Sequence, residues 1–116
     1  MLDWNLTATY MTTKAIVPYM KENNYGRIIN VSSLAGRTGI AFTSIDYATA
    51  KSAIIGFTRR LAVELAPFGI TANVVTPGTV WSPRVAELHK DRIEDIRKTI
   101  PIGREGTTEF LNRRNP

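Results

Sequence analysis

The strongest constraint on the fold is an order of elements. A long stretch of helical patterning, residues 46–66, lies between two short β-branched runs, 28–31 and 70–75. Strand, helix, strand in that order points to an α/β protein. The helical stretch carries Ala48, Ala50, Ala53, Ile54, Ile55, Phe57, Leu61, Ala62, Val63 and Leu65. These occupy more than one face, so the helix is expected to be buried on two sides. Ser44 or Asp46 is placed to cap its start, and Asp46 reads as a cap rather than a base. Ala66-Pro67-Phe68-Gly69 ends it. The run 28–31 is apolar and β-branched, as expected of a strand covered on both faces.

Residues 2–23 read as another helix. Leu6, Tyr10, Ala15, Val17 and Met20 recur among polar residues, and Asn24-Tyr25-Gly26 is a stop signal. Pro18 is expected to bend this helix or disturb its last turn. Residues 33–44 form a loop with two glycines, and loops at strand ends are where α/β sheets keep their chemistry. Residues 81–98 read as a mobile, partly helical segment. Asn73 reads as structural, tying its strand to its neighbours, and His89, the only histidine, as a surface residue.

A chain of 116 residues is one domain at most, with a small core. Its net charge of +5 comes from scattered cations, apart from Arg59-Arg60 and Arg113-Arg114. A nucleic-acid surface would show a basic stripe with interleaved aromatics, so a solvated basic surface is the simpler reading. There is no cysteine, which excludes disulfide and thiolate chemistry and fits a reducing, cytoplasmic setting. No apolar run reaches transmembrane length and no signal peptide is visible, so no membrane partner is expected. Asn5-Leu6-Thr7 and Asn30-Val31-Ser32 match the glycosylation sequon by coincidence on this reading.

The chemistry centres on Tyr47-Ala48-Thr49-Ala50-Lys51. Side chains at i and i+4 share one helix face. An ammonium held near a phenol favours the phenolate and draws the tyrosine down from its reference near ~10. Such a tyrosine can exchange protons near neutral pH. Ser32-Ser33 ends the first apolar run, with Ser33 fourteen residues before Tyr47. Asn73-Val74-Val75-Thr76-Pro77-Gly78 closes the second.

Together these motifs resemble the short-chain dehydrogenase/reductase family, from Asn5-Leu6-Thr7 to Pro101-Ile102-Gly103-Arg104. The interval from Ser33 to Tyr47 is one residue longer than in many members, which an insertion after Gly36 would absorb. The resemblance implies a partial Rossmann-like, doubly wound parallel sheet with helices on both faces. It implies an NAD(P)-dependent oxidoreductase that interconverts an alcohol and a ketone by hydride transfer. Tyr47 would be the proton donor or acceptor, and Lys51 would keep it acidic and hold the nicotinamide ribose. Ser33, the second of its pair, would polarise the substrate, and Asn5 would support a proton relay. Pro77, Gly78 and Val80 would present backbone to the nicotinamide, Ser82 a hydroxyl, and Tyr47 and Lys51 would complete the cofactor contacts.

The cofactor would be NAD or NADP and the substrate a small-molecule alcohol or ketone. A homo-oligomer is expected, because the helix carrying Tyr47 forms the main dimer contact in the family. Family domains run to about 250 residues. Residues 1–106 therefore resemble the C-terminal half of one, with 107–116 a divergent or truncated tail. No Gly-x-Gly-x-x-Gly turn for the cofactor pyrophosphate is present; Gly36-Arg37-Thr38-Gly39 is the nearest cluster and follows the serine strand. A catalytically inactive piece that only dimerises, or binds a full-length relative, is the alternative expectation.

Overall fold

A computed structural model describes residues 3–109 of the chain. It resolves into two compact units, Met1–Pro77 and Gly78–Pro116.

In the first unit a π-helical turn, Asp3–Thr7, leads into α1, Ala8–Asn23. The helix runs on past Pro18 and ends only at Asn23, so the proline does not cut short its last turn. Asn24 stops it in the left-handed region, where its backbone N–H reaches the carbonyls of Met20 and Lys21. Strand β1, Gly26–Val31, follows. A short 3₁₀ turn, Leu34–Gly36, leads toward α2, Ile45–Leu65. Ser44 rather than Asp46 caps α2, its hydroxyl accepting from the Tyr47 N–H at 3.2 Å. A second 3₁₀ turn, Ala66–Phe68, closes at Gly69 with φ of 71°, and the chain enters β2, Ile70–Val75. A side chain at Gly69 would be strained by that φ and would meet the Asn24 carbonyl oxygen at 2.7 Å.

The strands pair in parallel, Gly26 opposite Ile70 through Val31 opposite Val75. Ile28, Ile70 and Ala72 meet Leu65 in one core. Val17 and Met20 of α1 and Leu61 and Ala62 of α2 pack onto the same core, so both helices cover one face of the sheet. Period two sends Gly26, Ile28 and Asn30 inward and Arg27, Ile29 and Val31 outward.

The expected parallel α/β arrangement is present. The expectation that residues 28–31 are covered on both faces is corrected. Ile29 is 67% exposed, Val31 57% and Val75 46%. The β-branched pattern encodes burial on both faces, yet both helices of this unit lie on one. The interior stripe of α2 is Ala50, Ile54, Ile55, Thr58 and Leu65, one face at helical spacing. Its other apolar face is only partly covered: Phe57 meets Tyr10 of α1 with ring centroids 6.0 Å apart, while Val63 is exposed.

Asn73 lies among the outward residues of β2. The side-chain tie from sheet to helix comes instead from Asn30, whose Nδ2 donates to Thr58 Oγ1 at 2.9 Å, while Thr58 Oγ1 donates to the Ile54 carbonyl.

The second unit is built differently. It holds two short helices, α3, Pro83–Leu88, and α4, Ile93–Thr99. A bridge joins Val80 to Gly106, with Trp81 N–H donating to the Gly106 carbonyl at 2.7 Å. Ile96 is its one buried apolar side chain among the described residues. His89 is half-buried rather than at the surface, at the position that closes α3. Its Nδ1 is buried without a hydrogen bond among the described residues. Residues 110–116, most of the tail set apart from the sequence, lie outside the described residues.

Candidate active site

The site gathers where β1 ends. Ser32 N–H still bonds to the Val75 carbonyl at 2.8 Å, so the ladder runs one residue past the strand. The next residue, Ser33, is extended at φ −156° and ψ 155°. Alternation therefore continues through the pair. Ser32 falls on the inward side with residues 26, 28 and 30 and is 4% exposed. Ser33 falls on the outward side, half-buried. Its Oγ accepts from Ala35 N–H at 3.1 Å and caps the 3₁₀ turn. A hydroxyl that accepts still has its own proton to give.

Lys51 joins this strand end from α2. Its Nζ donates to the Val31 carbonyl at 3.4 Å and lies 5.6 Å from the centre of the Tyr47 ring. That is within reach of a cation–π attraction. The i, i+4 spacing thus puts phenol and ammonium on one face, and that face meets the end of β1. Pro77 lies alongside, its carbonyl accepting from Leu34 N–H at 2.9 Å. Asn5 sits in the π-helical turn, which packs against α2. Departures from α geometry of this kind recur at functional positions. Thr9 Oγ1 donates to the Asn5 carbonyl at 2.7 Å.

Ser33, Tyr47, Lys51 and Pro77 thus share one end of the sheet in the first unit. Gly78, Val80 and Ser82 belong to the second unit. There the Ser82 hydroxyl accepts from Val85 N–H at 3.1 Å and caps α3.

Three residues outside the expected set hold the geometry. Ser32 Oγ donates to the Lys51 carbonyl at 2.6 Å, Ser52 Oγ donates to the Gly36 carbonyl at 2.9 Å, and Gly36 itself lies against the Lys51 peptide. Among the described residues no group of three or more His, Asp or Glu side chains is placed to hold a metal ion. No helix among them is long and apolar enough to cross a membrane.

The family model for short chain dehydrogenases matches residues 1–93. The chain belongs to the short-chain dehydrogenase/reductase family. It is 41% identical over 108 residues to a 2-dehydro-3-deoxy-L-rhamnonate dehydrogenase (NAD(+)) of Sphingomonas sp. strain SKA58, covering 93% of this chain and 43% of that one. It is 38% identical over 110 residues to the acetoacetyl-CoA reductase of Cupriavidus necator, covering 95% and 44%. Among solved structures, a 3-oxoacyl-[acyl-carrier protein] reductase from Brucella melitensis superposes with a TM-score of 0.84 at 42% identity, over 89% of this chain and 38% of that one. The chain spans less than half the length of these relatives.

Proposed function

We propose that this short-chain dehydrogenase/reductase chain carries the catalytic half of an NAD(P)-dependent oxidoreductase acting on a small-molecule alcohol or ketone. The observation that carries the reading is the meeting of the Tyr47–Lys51 face with the Ser33 strand end, through the Lys51 contact to Val31.

The residues fit the nicotinamide-ribose end of such a cofactor. Lys51 brings a cationic donor and Tyr47 a phenol to the same strand end, beside the Pro77 backbone. A bound nicotinamide supplies or accepts the hydride. Tyr47 gives the proton to the substrate oxygen in the reducing direction and takes it in the oxidising one. Lys51 stands beside the ring, its Nζ 5.6 Å from the ring centre. Ser33 donates a hydrogen bond to the same substrate oxygen, keeping its proton, and stabilises the charge that develops there. Asn5, in the turn packed on α2, supports the path by which the proton reaches Lys51. The family resemblance assigns the remaining cofactor contacts to Gly78, Val80 and Ser82.

The proposal includes a cytoplasmic setting, in keeping with a chain free of cysteine. It also includes a homo-oligomer, supported by the exposed Val63 on α2 and Tyr10 and Met11 on α1. Sedimentation at micromolar concentration should show dimers or larger species, and a folded monomer would contradict it.

The test of function joins this chain to the complementing half of a relative. Tyr47→Phe should lower turnover by about 10²–10⁴ with cofactor binding nearly intact, since the ring is kept and the proton lost. Lys51→Ala should impair both. Near-normal turnover in Tyr47→Phe at neutral pH would remove the proton-transfer assignment.

A further inference from the structure

The two adjacent serines have separate tasks. We infer that Ser32 is a positioning residue, whose buried hydroxyl holds the Lys51 peptide against the strand end and so sets where the Lys51 ammonium and the Tyr47 phenol stand. This rests on the functional reading above and adds a residue to it.

Four contacts tie the strand end and its turn to Lys51 and Ser52, two of them on the Lys51 peptide itself. Ser32 Oγ donates to the Lys51 carbonyl at 2.6 Å, the shortest side-chain contact between strand end and helix. Within a helix that carbonyl accepts from the amide four residues on, and its second lone pair is free for Ser32. Gly36 closes on the same peptide so tightly that a Cβ there would stand 2.8 Å from the Lys51 carbonyl carbon and 2.9 Å from its oxygen. Ser52 Oγ returns from the helix to the Gly36 carbonyl at 2.9 Å. The Lys51 side chain then reaches back to Val31.

The consequence is geometric. Ser32 and Ser33 share a backbone, so fixing Ser32 to the Lys51 peptide fixes Ser33 to the helix that carries Tyr47. A purely apolar packing of α2 on the sheet would allow sliding along the helix axis. A hydrogen bond at 2.6 Å from a residue 4% exposed specifies one register. Misplacing a catalytic group by about an ångström costs on the order of a hundredfold in rate.

The experiment compares Ser32→Ala with Ser32→Thr, which keeps the hydroxyl, in the full chain. The first readout is the ring-current shift that Tyr47 imposes on the Lys51 side chain, followed by NMR on lysine-labelled protein. It needs no turnover. The expected result is a Lys51 resonance that moves toward those of the exposed lysines in Ser32→Ala and returns in Ser32→Thr. A folded Ser32→Ala chain with an unmoved Lys51 resonance overturns the inference.

The second readout is kinetic, with the complementing half of a relative present. The expected result is a fall in kcat of roughly ten- to a hundredfold, with a smaller change in KM. Unchanged kcat in an otherwise active enzyme overturns the inference and leaves the functional reading standing. A wild-type chain that shows the Lys51 shift but never turns over would remove the functional reading and leave the positioning role supported. If Ser32→Ala does not fold, Ser52→Ala loosens the same clamp from the exposed side. A smaller Lys51 shift in the same direction supports the inference there, and no shift overturns it.

Discussion

The first unit and the second solve the problem of holding a shape by different means. Residues up to Pro77 use a core of Ile28, Leu65, Ile70 and Ala72 under two long helices, with side-chain hydroxyls pinning helix to strand. Among the described residues from Gly78 onward one apolar side chain, Ile96, is buried, and this unit relies on charge. Arg97 grips Glu105 with two hydrogen bonds of 2.9 Å and Glu94 with one of 2.7 Å. The side-chain bonds from Arg97, followed by a backbone hydrogen bond, hold the Glu105 carboxyl down to about 2 from its ordinary 4.5, and the two carboxylates push the arginine further up. The lesson is a division of labour. The groups proposed for catalysis, Ser33, Tyr47 and Lys51, are on the apolar scaffold. The second unit is held largely by the Arg97–Glu105 ion pair, whose strength depends on pH.

The largest effect that would test this contrast is in the core. Ile54 is 1% exposed. Ile54→Ala should cost about 2–5 kcal/mol, as lost burial plus the cavity left behind. Denaturant unfolding with amide exchange should show the loss in the first unit, with the second unit's amides unchanged. Equal loosening of both units would break the comparison.

Acid should do the reverse, and more gently. Glu105 binds a proton more readily in the unfolded chain than in the folded one. Its contribution is therefore whole above about 4.5 and is lost as pH falls from there through about 2. Amides of α4 and of residues 103–106 should lose protection, relative to their intrinsic exchange rate at each pH, below about 4.5, before those of α2 do. Glu105→Gln should bring that loss of protection to neutral pH and remove the acid step. An α4 whose protection stays constant from pH 7 to 3 would show that the ion pair is not what holds it.

Much of the first unit was legible in the sequence because its signals are periodic. The helix on 46–66 and the strands on 28–31 and 70–75 stand within a residue or two of where the patterning puts them. The Tyr47–Lys51 pair follows directly from i, i+4 geometry once the helix is granted. Covering of the sheet was not legible. β-branched residues report that a face is to be buried, not which element buries it, so Ile29 and Val31 read as interior and stand exposed.

The division between Ser32 and Ser33 was readable in principle. Carrying the alternation of 26, 28 and 30 one step further sends Ser32 inward and Ser33 outward. The partner of Ser32 was not readable, because a bond from a side chain to a main-chain carbonyl nineteen residues away leaves no residue type as a trace. Asn30 and Thr58 were hidden for a related reason, as polar residues in apolar surroundings whose pairing depends on how strand and helix cross. The Arg97–Glu105 latch joins residues eight apart across a turn, a spacing no helix or strand period marks.

The central claim is that this strand end and helix face serve hydride transfer. The direct measurement follows deuterium from a nicotinamide cofactor deuterated at C4 into the carbon of a ketone substrate. The catalyst is this chain completed by the first half of a relative. The account predicts deuterium on the carbinol carbon with wild-type sequence and almost none with Tyr47→Phe. Transfer at equal rates in both, or none with wild type across a panel of small ketones, would contradict it.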